Sequence, residues 1–256
     1  MNQVRMTNTD SYVHCFQPNH SSKEAYLFLP SFPGTQGKNE DIAEAVSHKT
    51  CCHSYVIHYA GLGLATSKTF DFIKSVGESI QLAHLLLEKY EKLHLVGHSW
   101  GGLISLNLFS TTLTSEQRGQ LILSAPFTEF PHDGSVESWL IPMATKKDFI
   151  LFSDEDPEKV RDNFFSVEKI YHPRKGLSNL KPRKNQVALI EAINDPDVPN
   201  QSTDSLYQLL NHQGNALRVR LHDNHCFTND RDAIIGSVLT VIDIYNISNL
   251  NANQSC

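Results

Sequence analysis

The sequence predicts an α/β protein with a mostly parallel sheet of about seven strands and helices on both faces. Two observations support this prediction: short apolar runs alternate with amphipathic helical patterns, and glycine or proline follows several of the runs. The proportions of hydrophobic residues (40%) and charged residues (20%) are those of a globular chain rather than a disordered one. We therefore expect residues 1–256 to form a single domain.

The strands are predicted from short apolar runs, most of them bounded by a turn signal. The run at 26–29, for example, is closed by Pro30. In chain order, the predicted strands lie at 12–16, 26–29, 54–58, 93–96, 121–124, 186–190 and 217–221. Helices are predicted where apolar residues recur every three or four positions, at 72–90, at 101–112 and from about 230.

Residues from about 128 to 184 interrupt this alternation and contain no clear strand. Aromatic side chains are spread through the segment among many charges: Trp139, Phe149, Phe152, Phe164, Phe165 and Tyr171. We interpret the segment as an inserted, mostly helical cap. Its aromatic residues could line an acyl-binding slot, but such spacing is more typical of a cap's own small core.

The overall charge and the absence of special segments limit the partners of the chain. A formal net charge of −6 argues against nucleic acid, which requires a basic surplus. No stretch approaches the roughly 18 apolar residues of a membrane span, so we expect no transmembrane segment, and residues 1–25 lack the apolar core of a signal peptide. Five cysteines without regular spacing indicate a reduced protein. These features predict a cytoplasmic protein, and the sequence leaves its oligomeric state open.

The most informative motif is Gly97-His98-Ser99-Trp100-Gly101, which lies between a predicted strand and a predicted helix. A serine hydroxyl is a weak nucleophile unless it is exposed and contacts a base, and a sharp strand-to-helix turn provides the exposure. The residues two before and two after the serine then crowd together, and both are glycine here. The motif predicts Ser99 as a nucleophile, and the alternative is a glycine-rich turn without chemistry.

A base for Ser99 is expected in the segment His222-Asp-Asn-His225, between the last predicted strand and the last helix. His222 continues the strand directly, whereas His225 lies in the loop, where its side chain can reach over the carboxyl edge of the sheet. We therefore favour His225. A His-x-x-His pair could also bind a metal, but no clustered set of ligand residues accompanies it. We predict neither a metal nor a cofactor.

The carboxylate that orients this histidine is expected after the preceding strand, within Asp195-Pro-Asp-Val-Pro199. Asp195 is favoured because it lies closer to the end of the strand. Asp197 is its competitor, and Glu129, which follows the strand at 121–124, is a third candidate. The alternative is that both aspartates only shape an Asp-Pro turn.

With these residues assigned, the chain resembles the α/β-hydrolase superfamily. The chain order Ser99, Asp195, His225 matches the Ser…Asp…His order of that superfamily, and each residue follows the expected strand. The segments LILSAPF at 121–127 and DPDVP at 195–199 look most like the monoacylglycerol lipase, lysophospholipase and serine aminopeptidase group. Type II thioesterases share the Gly-His-Ser pattern. The resemblance implies eight strands, but the short segment before residue 26 leads us to expect about seven.

The resemblance also implies an oxyanion hole of two backbone N–H groups, one of them from Trp100. The other is expected from the loop after the strand at 26–29, where family members usually have His-Gly and this chain has Pro30-Ser31. Proline has no N–H, so Pro30 and Pro33 cannot donate. This leaves Phe32 as the candidate, with Ser31 and Gly34 behind it.

A serine nucleophile implies acyl transfer, so we predict a serine hydrolase that cleaves a small-molecule carboxylic ester through an acyl-enzyme. The alternatives are a thioesterase or an amidase or aminopeptidase with the same triad, and a non-catalytic binding protein of the same fold. Six basic residues between 169 and 184 could attract a phosphate-bearing leaving group, as a thioesterase would require. The less specific interpretation is a solvated linker. The six basic residues are Lys169, Arg174, Lys175, Lys181, Arg183 and Lys184.

Overall fold

The protein is built on one eight-stranded sheet. The computed structural model describes residues 2–5, 10–18, 21–34, 39–65, 68–146, 150–172, 174, 177, 180–211 and 214–254. The strands are β1 Asn2–Arg5, β2 Tyr12–Phe16, β3 Glu24–Leu29, β4 His53–His58, β5 Lys92–His98, β6 Arg118–Ser124, β7 Val187–Ala192 and β8 Ala216–Leu221. Their order in the sheet is β1-β2-β4-β3-β5-β6-β7-β8.

The sheet is mostly parallel, as predicted. Strands β3 to β8 run parallel to one another, whereas β1 pairs antiparallel with β2 and β2 pairs antiparallel with β4. The count is one more than the seven expected, because Asn2–Arg5 also forms a strand. Its sequence, Asn-Gln-Val-Arg, has one apolar residue and therefore no alternation that could have indicated a strand.

Helices cover both faces of the sheet, which confirms the predicted architecture. They are α1 Glu40–Thr50, α2 Phe72–Leu87, α3 Trp100–Asn107, α4 Ser135–Lys146, α5 Pro157–Tyr171, α6 Asn200–Leu210 and α7 Arg231–Gln254. The central strands are buried on both faces, so successive side chains enter different cores. In β3, Leu27 and Leu29 pack in the core under α2 and α3, whereas Tyr26 and Phe28 pack in the core under α1 and α7.

The segment between β6 and β7 contains α4 and α5 and no named strand among its described residues. The side chain of Phe164 on α5 is buried and contacts Trp100 and Phe72, which belong to the sheet domain. Phe152 and Phe165 are partly buried and pack against the same core. Phe149 lies outside the described residues. The aromatic residues of this segment therefore join the core of the sheet domain rather than forming a separate one.

Among the described residues, helix α7 is long and apolar enough, by length and composition alone, to cross a membrane, a feature that the search for a continuous apolar run did not indicate. Its residues 231–250 have a mean hydropathy of 1.4. Ser and Thr, which lower the mean hydropathy only slightly, separate many of the apolar residues, so the mean is high although no long apolar run exists in this stretch. One side of the helix, including Ile234, Val238, Val241 and Ile242, is buried against the sheet. A helix that packs on a sheet passes the same test, so this observation is weak evidence for membrane insertion.

Candidate active site

Ser99 lies at the turn between β5, which ends at His98, and α3, which begins at Trp100. Its backbone has φ 52° and ψ −114°, a conformation that a residue with a Cβ rarely adopts. Such a conformation persists only where the surroundings enforce it and costs roughly 1–3 kcal/mol. Here the Ser99 N–H donates to the Ser124 carbonyl at 3.0 Å, and the Ser99 carbonyl accepts N–H bonds from Gly102 and Phe127 at 2.9 Å each. These bonds hold the turn.

The glycines on either side of Ser99 are required by close backbone contacts. A Cβ on Gly101 would lie 1.8 Å from the Leu29 carbonyl oxygen, and one on Gly97 would lie 2.4 Å from the Gly101 carbonyl oxygen. Both distances are far below van der Waals contact, and both involve backbone atoms, which cannot rotate away. The crowding inferred from the sequence is therefore present.

We expect Gly101→Ala to lower the free energy of unfolding by about 3 kcal/mol or more, because the added methyl group displaces β3 or α3. Gly77→Ala makes the same chemical change within α2, where nothing lies within 4 Å of the new Cβ. It should raise stability by about 0.5–1 kcal/mol through the lower backbone entropy of alanine. Urea unfolding followed by circular dichroism measures both variants. Equal midpoints for the two variants would contradict the close approach of Gly101 to Leu29.

The structure brings Ser99, His225 and Asp195 into one hydrogen-bonded row. His225 Nε2 lies 2.8 Å from Ser99 Oγ, and His225 Nδ1 lies 2.8 Å from Asp195 Oδ2. The side chains of His225 and Asp195 are only 10% and 3% exposed, so little water competes for these bonds. In this arrangement, Nδ1–H donates to the carboxylate and Nε2 is left to accept the serine proton.

The other candidate carboxylates lie elsewhere. Asp195 Oδ1 accepts the N–H groups of Asp197 and Val198 at 2.8 and 2.9 Å, which fixes the carboxylate with Oδ2 toward His225. The side chain of Asp197 is exposed. Glu129 forms an ion pair with Arg174 at 2.5 Å. Of the three candidates, Asp195 is the one hydrogen-bonded to the histidine.

The loop after β8 separates the two candidate histidines. His222 is exposed, whereas His225 is buried in a turn three residues later. Between them, Asp223 is 2% exposed, and its carboxylate accepts the N–H groups of Asn224, Asn229 and Asp230 at 2.7 to 3.1 Å. Asp223 was not among the residues predicted from the sequence. The only available signal was an aspartate inside a loop that already held a candidate base.

A second histidine, His98, supports the backbone of His225. Its Nε2–H donates to the His225 carbonyl oxygen at 2.8 Å. Complete burial, with a smaller contribution from the nearby His225, lowers the pKa of His98 to about 3. His98 is therefore neutral near pH 7, and because Nε2 faces a carbonyl oxygen, the proton of the ring resides on Nε2. Sequence reasoning missed this contact, and the available signal was the position of His98 at the end of a buried strand.

The two candidate oxyanion donors lie beside Ser99. Trp100 is the first residue of α3, where N–H groups have no partner within the helix, and Phe32 lies in the loop after β3. Both line the same cavity as Ser99 and His225. Gly34 instead lines a separate small pocket beside His58. Phe32, rather than Gly34, therefore borders the cavity at Ser99, and its role as the second donor stays a prediction.

The cavity at Ser99 has a volume of about 490 Å³. Among the described residues, its wall is mainly apolar, and the polar groups besides Ser99 and His225 are Ser135 and Asp197. The apolar wall consists of Phe32, Pro33, Trp100, Phe127, Pro131, Val136, Trp139, Met143, Phe164, Pro196 and Val198. The aromatic residues Trp139 and Phe164 thus line a slot while they also contact each other and the core. A cavity of this size and character suits one apolar small molecule.

A metal ion does not fit this site. Side-chain atoms of Asp195, Asp197 and His225 lie within 4.8 Å of one another, a spacing that could hold a cation. However, both ring nitrogens of His225 are already engaged, one by Ser99 and the other by Asp195. The exposed His222 lies outside this group. The geometry suits proton transfer rather than metal binding.

No family model and no curated protein sequence matches the chain. Solved structures do match over nearly its whole length. The enol-lactonase from Burkholderia xenovorans has 13% identity and a TM-score of 0.68, covering 94% of this chain and 100% of its own. A soluble variant of monoglyceride lipase from Saccharomyces cerevisiae, in complex with a substrate analogue, has 12% identity and a TM-score of 0.66, covering 96% and 94%.

A third structure, from Xanthomonas campestris, is described as an α/β serine hydrolase without a lid. It has 13% identity and a TM-score of 0.58, covering 95% of this chain and 94% of its own. The element order, the mostly parallel sheet and these likenesses agree with one another. The chain has the α/β-hydrolase fold.

Proposed function

We propose that the protein is a serine hydrolase that cleaves carboxylic esters through an acyl-enzyme intermediate. The observation that carries this proposal is the continuous row of hydrogen bonds from Ser99 through His225 to Asp195, with 2.8 Å at each step. An isolated serine hydroxyl is a poor nucleophile, and contact with an oriented imidazole activates it. The names of two similar structures, a lactonase and a monoglyceride lipase, also favour cleavage of an ester bond.

In the proposed reaction, Ser99 Oγ attacks the acyl carbonyl carbon while His225 Nε2 takes the hydroxyl proton. The carbonyl oxygen becomes an oxyanion, which the N–H groups of Trp100 and Phe32 stabilise. The C–O bond to the alcohol then breaks, and His225 returns the proton to the leaving alkoxide. Water repeats the sequence on the acyl-enzyme and releases the carboxylic acid. The Asp195 carboxylate stabilises the transient imidazolium throughout.

The cavity supports an apolar acyl group of small to medium length. Its wall is mainly aromatic and aliphatic, and each methylene group transferred from water to such a wall contributes about 0.8 kcal/mol. Because the polar groups of the cavity are few, little of the wall would lose hydrogen bonds to water when an alkyl chain enters. We therefore propose butyrate and longer acyl esters as better substrates than acetates.

The charges near the site favour an uncharged leaving group over coenzyme A. Among the described residues of the cavity wall, Asp197 is charged, and its carboxylate repels phosphate. Arg174, one of the six basic residues between 169 and 184, forms an ion pair with Glu129 and donates a hydrogen bond to Ser205. Arg183 donates to the Arg118 carbonyl oxygen and to Tyr245, and Lys175 lies outside the described residues. A thioesterase acting on coenzyme A esters is thus the second candidate, and a non-catalytic binder is disfavoured by the formed triad.

The test compares four substrates on the purified protein: p-nitrophenyl acetate, p-nitrophenyl butyrate, butyryl-coenzyme A and the neutral thioester S-butyryl-N-acetylcysteamine. We expect kcat/KM to rise about tenfold from acetate to butyrate, because two methylene groups are added. The two thioesters share an acyl group and a sulfur leaving atom and differ in the phosphates. We expect the neutral thioester to be the better of the two.

Preference for butyryl-coenzyme A over both the neutral thioester and the oxygen ester would replace the proposal with the thioesterase alternative. Folded protein that hydrolyses none of the four substrates would favour the binding protein instead. Circular dichroism on the same preparation establishes that the protein is folded.

A further inference from the structure

Two histidines and a glutamate meet at a place remote from Ser99 in the sheet order. His14 lies in β2, His58 ends β4 and Glu40 begins α1. In the antiparallel β2–β4 pair, His14 lies opposite Val56, so His58 is its diagonal neighbour two residues further along. Diagonal neighbours of this kind project from the same face of the sheet. The start of α1 adds the carboxylate to the two imidazoles.

The spacing of the three side chains suits ligands of one metal ion. One ligand atom from each residue lies within 4.8 Å of the others, and His58 Nε2 lies 3.2 Å from Glu40 Oε1. Two ligands of a tetrahedral Zn²⁺, with bonds of about 2.0–2.1 Å, lie roughly 3.3 Å apart. The His58–Glu40 pair already has that separation, and His14 needs to approach by a rotamer adjustment.

Burial without hydrogen bonds is the second observation that points to a ligand. The side chains of His14 and His58 are 7% and 6% exposed, and within the described residues Nε2 of each has no hydrogen-bond partner. His58 Nε2 is close to Glu40 but is not aligned with it as a hydrogen bond. Buried polar atoms are normally hydrogen-bonded, so two buried imidazole nitrogens without a hydrogen bond, in a cluster with one carboxylate, require an explanation.

We propose that His14, Glu40 and His58 bind a divalent transition-metal ion, with Zn²⁺ as the best-matched ion. Two imidazoles and one carboxylate suit Zn²⁺ better than Mg²⁺ or Ca²⁺, which prefer oxygen ligands. Binding through His58 Nε2 places the ring proton on Nδ1 and gives up one long contact, the 3.5 Å bond from Leu64 N–H to Nδ1. This inference does not depend on the proposed ester hydrolysis.

The proposed ion would have a structural role. It would join β2, β4 and α1, three elements that meet at the antiparallel end of the sheet. Glu40 and His58 line a small pocket together with Pro30 and Gly34, which flank Phe32. The ion would therefore also restrain the loop that carries the proposed second oxyanion donor.

The test uses the full chain after treatment with a chelator, titrated with Co²⁺ as the visible probe and then with Zn²⁺ as competitor. We expect one Co²⁺ per chain with the visible absorption bands of a low-coordinate site, and displacement of those bands by Zn²⁺. Zn²⁺ should also raise the melting temperature, because a ligand that binds only the native state stabilises it. His14→Ala should abolish both effects, and Glu40→Gln should weaken Co²⁺ binding at least tenfold.

His132→Ala is the matched control, because His132 also lies 2.9 Å from a glutamate, Glu168, but is well exposed and outside the cluster. It should retain wild-type Co²⁺ binding. Wild-type protein that is folded and binds no Co²⁺ or Zn²⁺ would overturn the proposal, as would His14→Ala that binds as wild type does. If His14→Ala fails to fold, Glu40→Gln decides: unchanged affinity in that variant would equally overturn the site.

Discussion

Ser99→Ala is expected to reduce kcat for p-nitrophenyl butyrate by about 10⁵-fold, close to the uncatalysed background. The substitution removes the oxygen that lies 2.8 Å from His225 Nε2 and leaves a methyl group that cannot form an acyl-enzyme. The backbone demands are the same, because alanine and serine both carry a Cβ at the positive φ of this turn. Initial rates and labelling with a fluorophosphonate probe, detected by intact mass, measure the effect.

The control for this variant is Ser237→Ala on α7, which removes a hydroxyl that donates to the Ala233 carbonyl in the same helix. It should keep wild-type turnover and wild-type labelling. Residual activity of Ser99→Ala within tenfold of wild type would show that another group attacks the ester. Labelling that persists in Ser99→Ala would lead to the same conclusion.

His225→Ala is expected to lose turnover to a similar extent, about 10⁵-fold, because among the described residues His225 is the base hydrogen-bonded to Ser99 Oγ. His222→Ala should stay within about twofold of wild type, since its exposed side chain lies outside the row of hydrogen bonds. The two variants make the same change three residues apart in one loop. Added imidazole should restore part of the rate in His225→Ala, because it can act as a base in the vacated space.

The result that would contradict this assignment is the reverse pattern, with His222→Ala inactive and His225→Ala active. Unchanged melting temperatures would establish that neither variant acts through unfolding. Equal and small losses in both variants would indicate that neither histidine is the base.

The part of the fold that sequence reasoning predicted is the part with dense apolar runs. Strands β3 to β7 are largely buried, so their residues form apolar runs that stand out against the helical pattern. Helices α1 and α6 were not predicted, because polar residues occupy much of their buried side. Ser47 is buried in α1, and Ser202 and Thr203 are buried in α6. Where a helix buries serine and threonine side chains, the spacing of apolar residues no longer indicates the helix.

In the candidate site, too, some residues are indicated by their neighbours in sequence, whereas others depend on contacts between distant parts of the chain. Ser99 is indicated by its immediate neighbours, since the glycines and the strand-to-helix turn are contiguous in sequence. The contact of His98 with the His225 carbonyl joins residues 127 positions apart and leaves no local pattern. Asp195 and Asp197 lie in nearly equivalent places in the sequence. The structure distinguishes them, because the backbone N–H groups of Asp197 and Val198 donate to Asp195 Oδ1 and orient that carboxylate.

The strained backbone of Ser99 sets the stability of the fold against the presence of a hydroxyl group at this position. Glycine adopts a positive φ without steric cost, so glycine at position 99 would relieve the backbone strain that serine imposes there. If Ser99 is the nucleophile, as we propose, the strained backbone serves reactivity, and glycine at this position would raise stability only at the loss of the attacking hydroxyl.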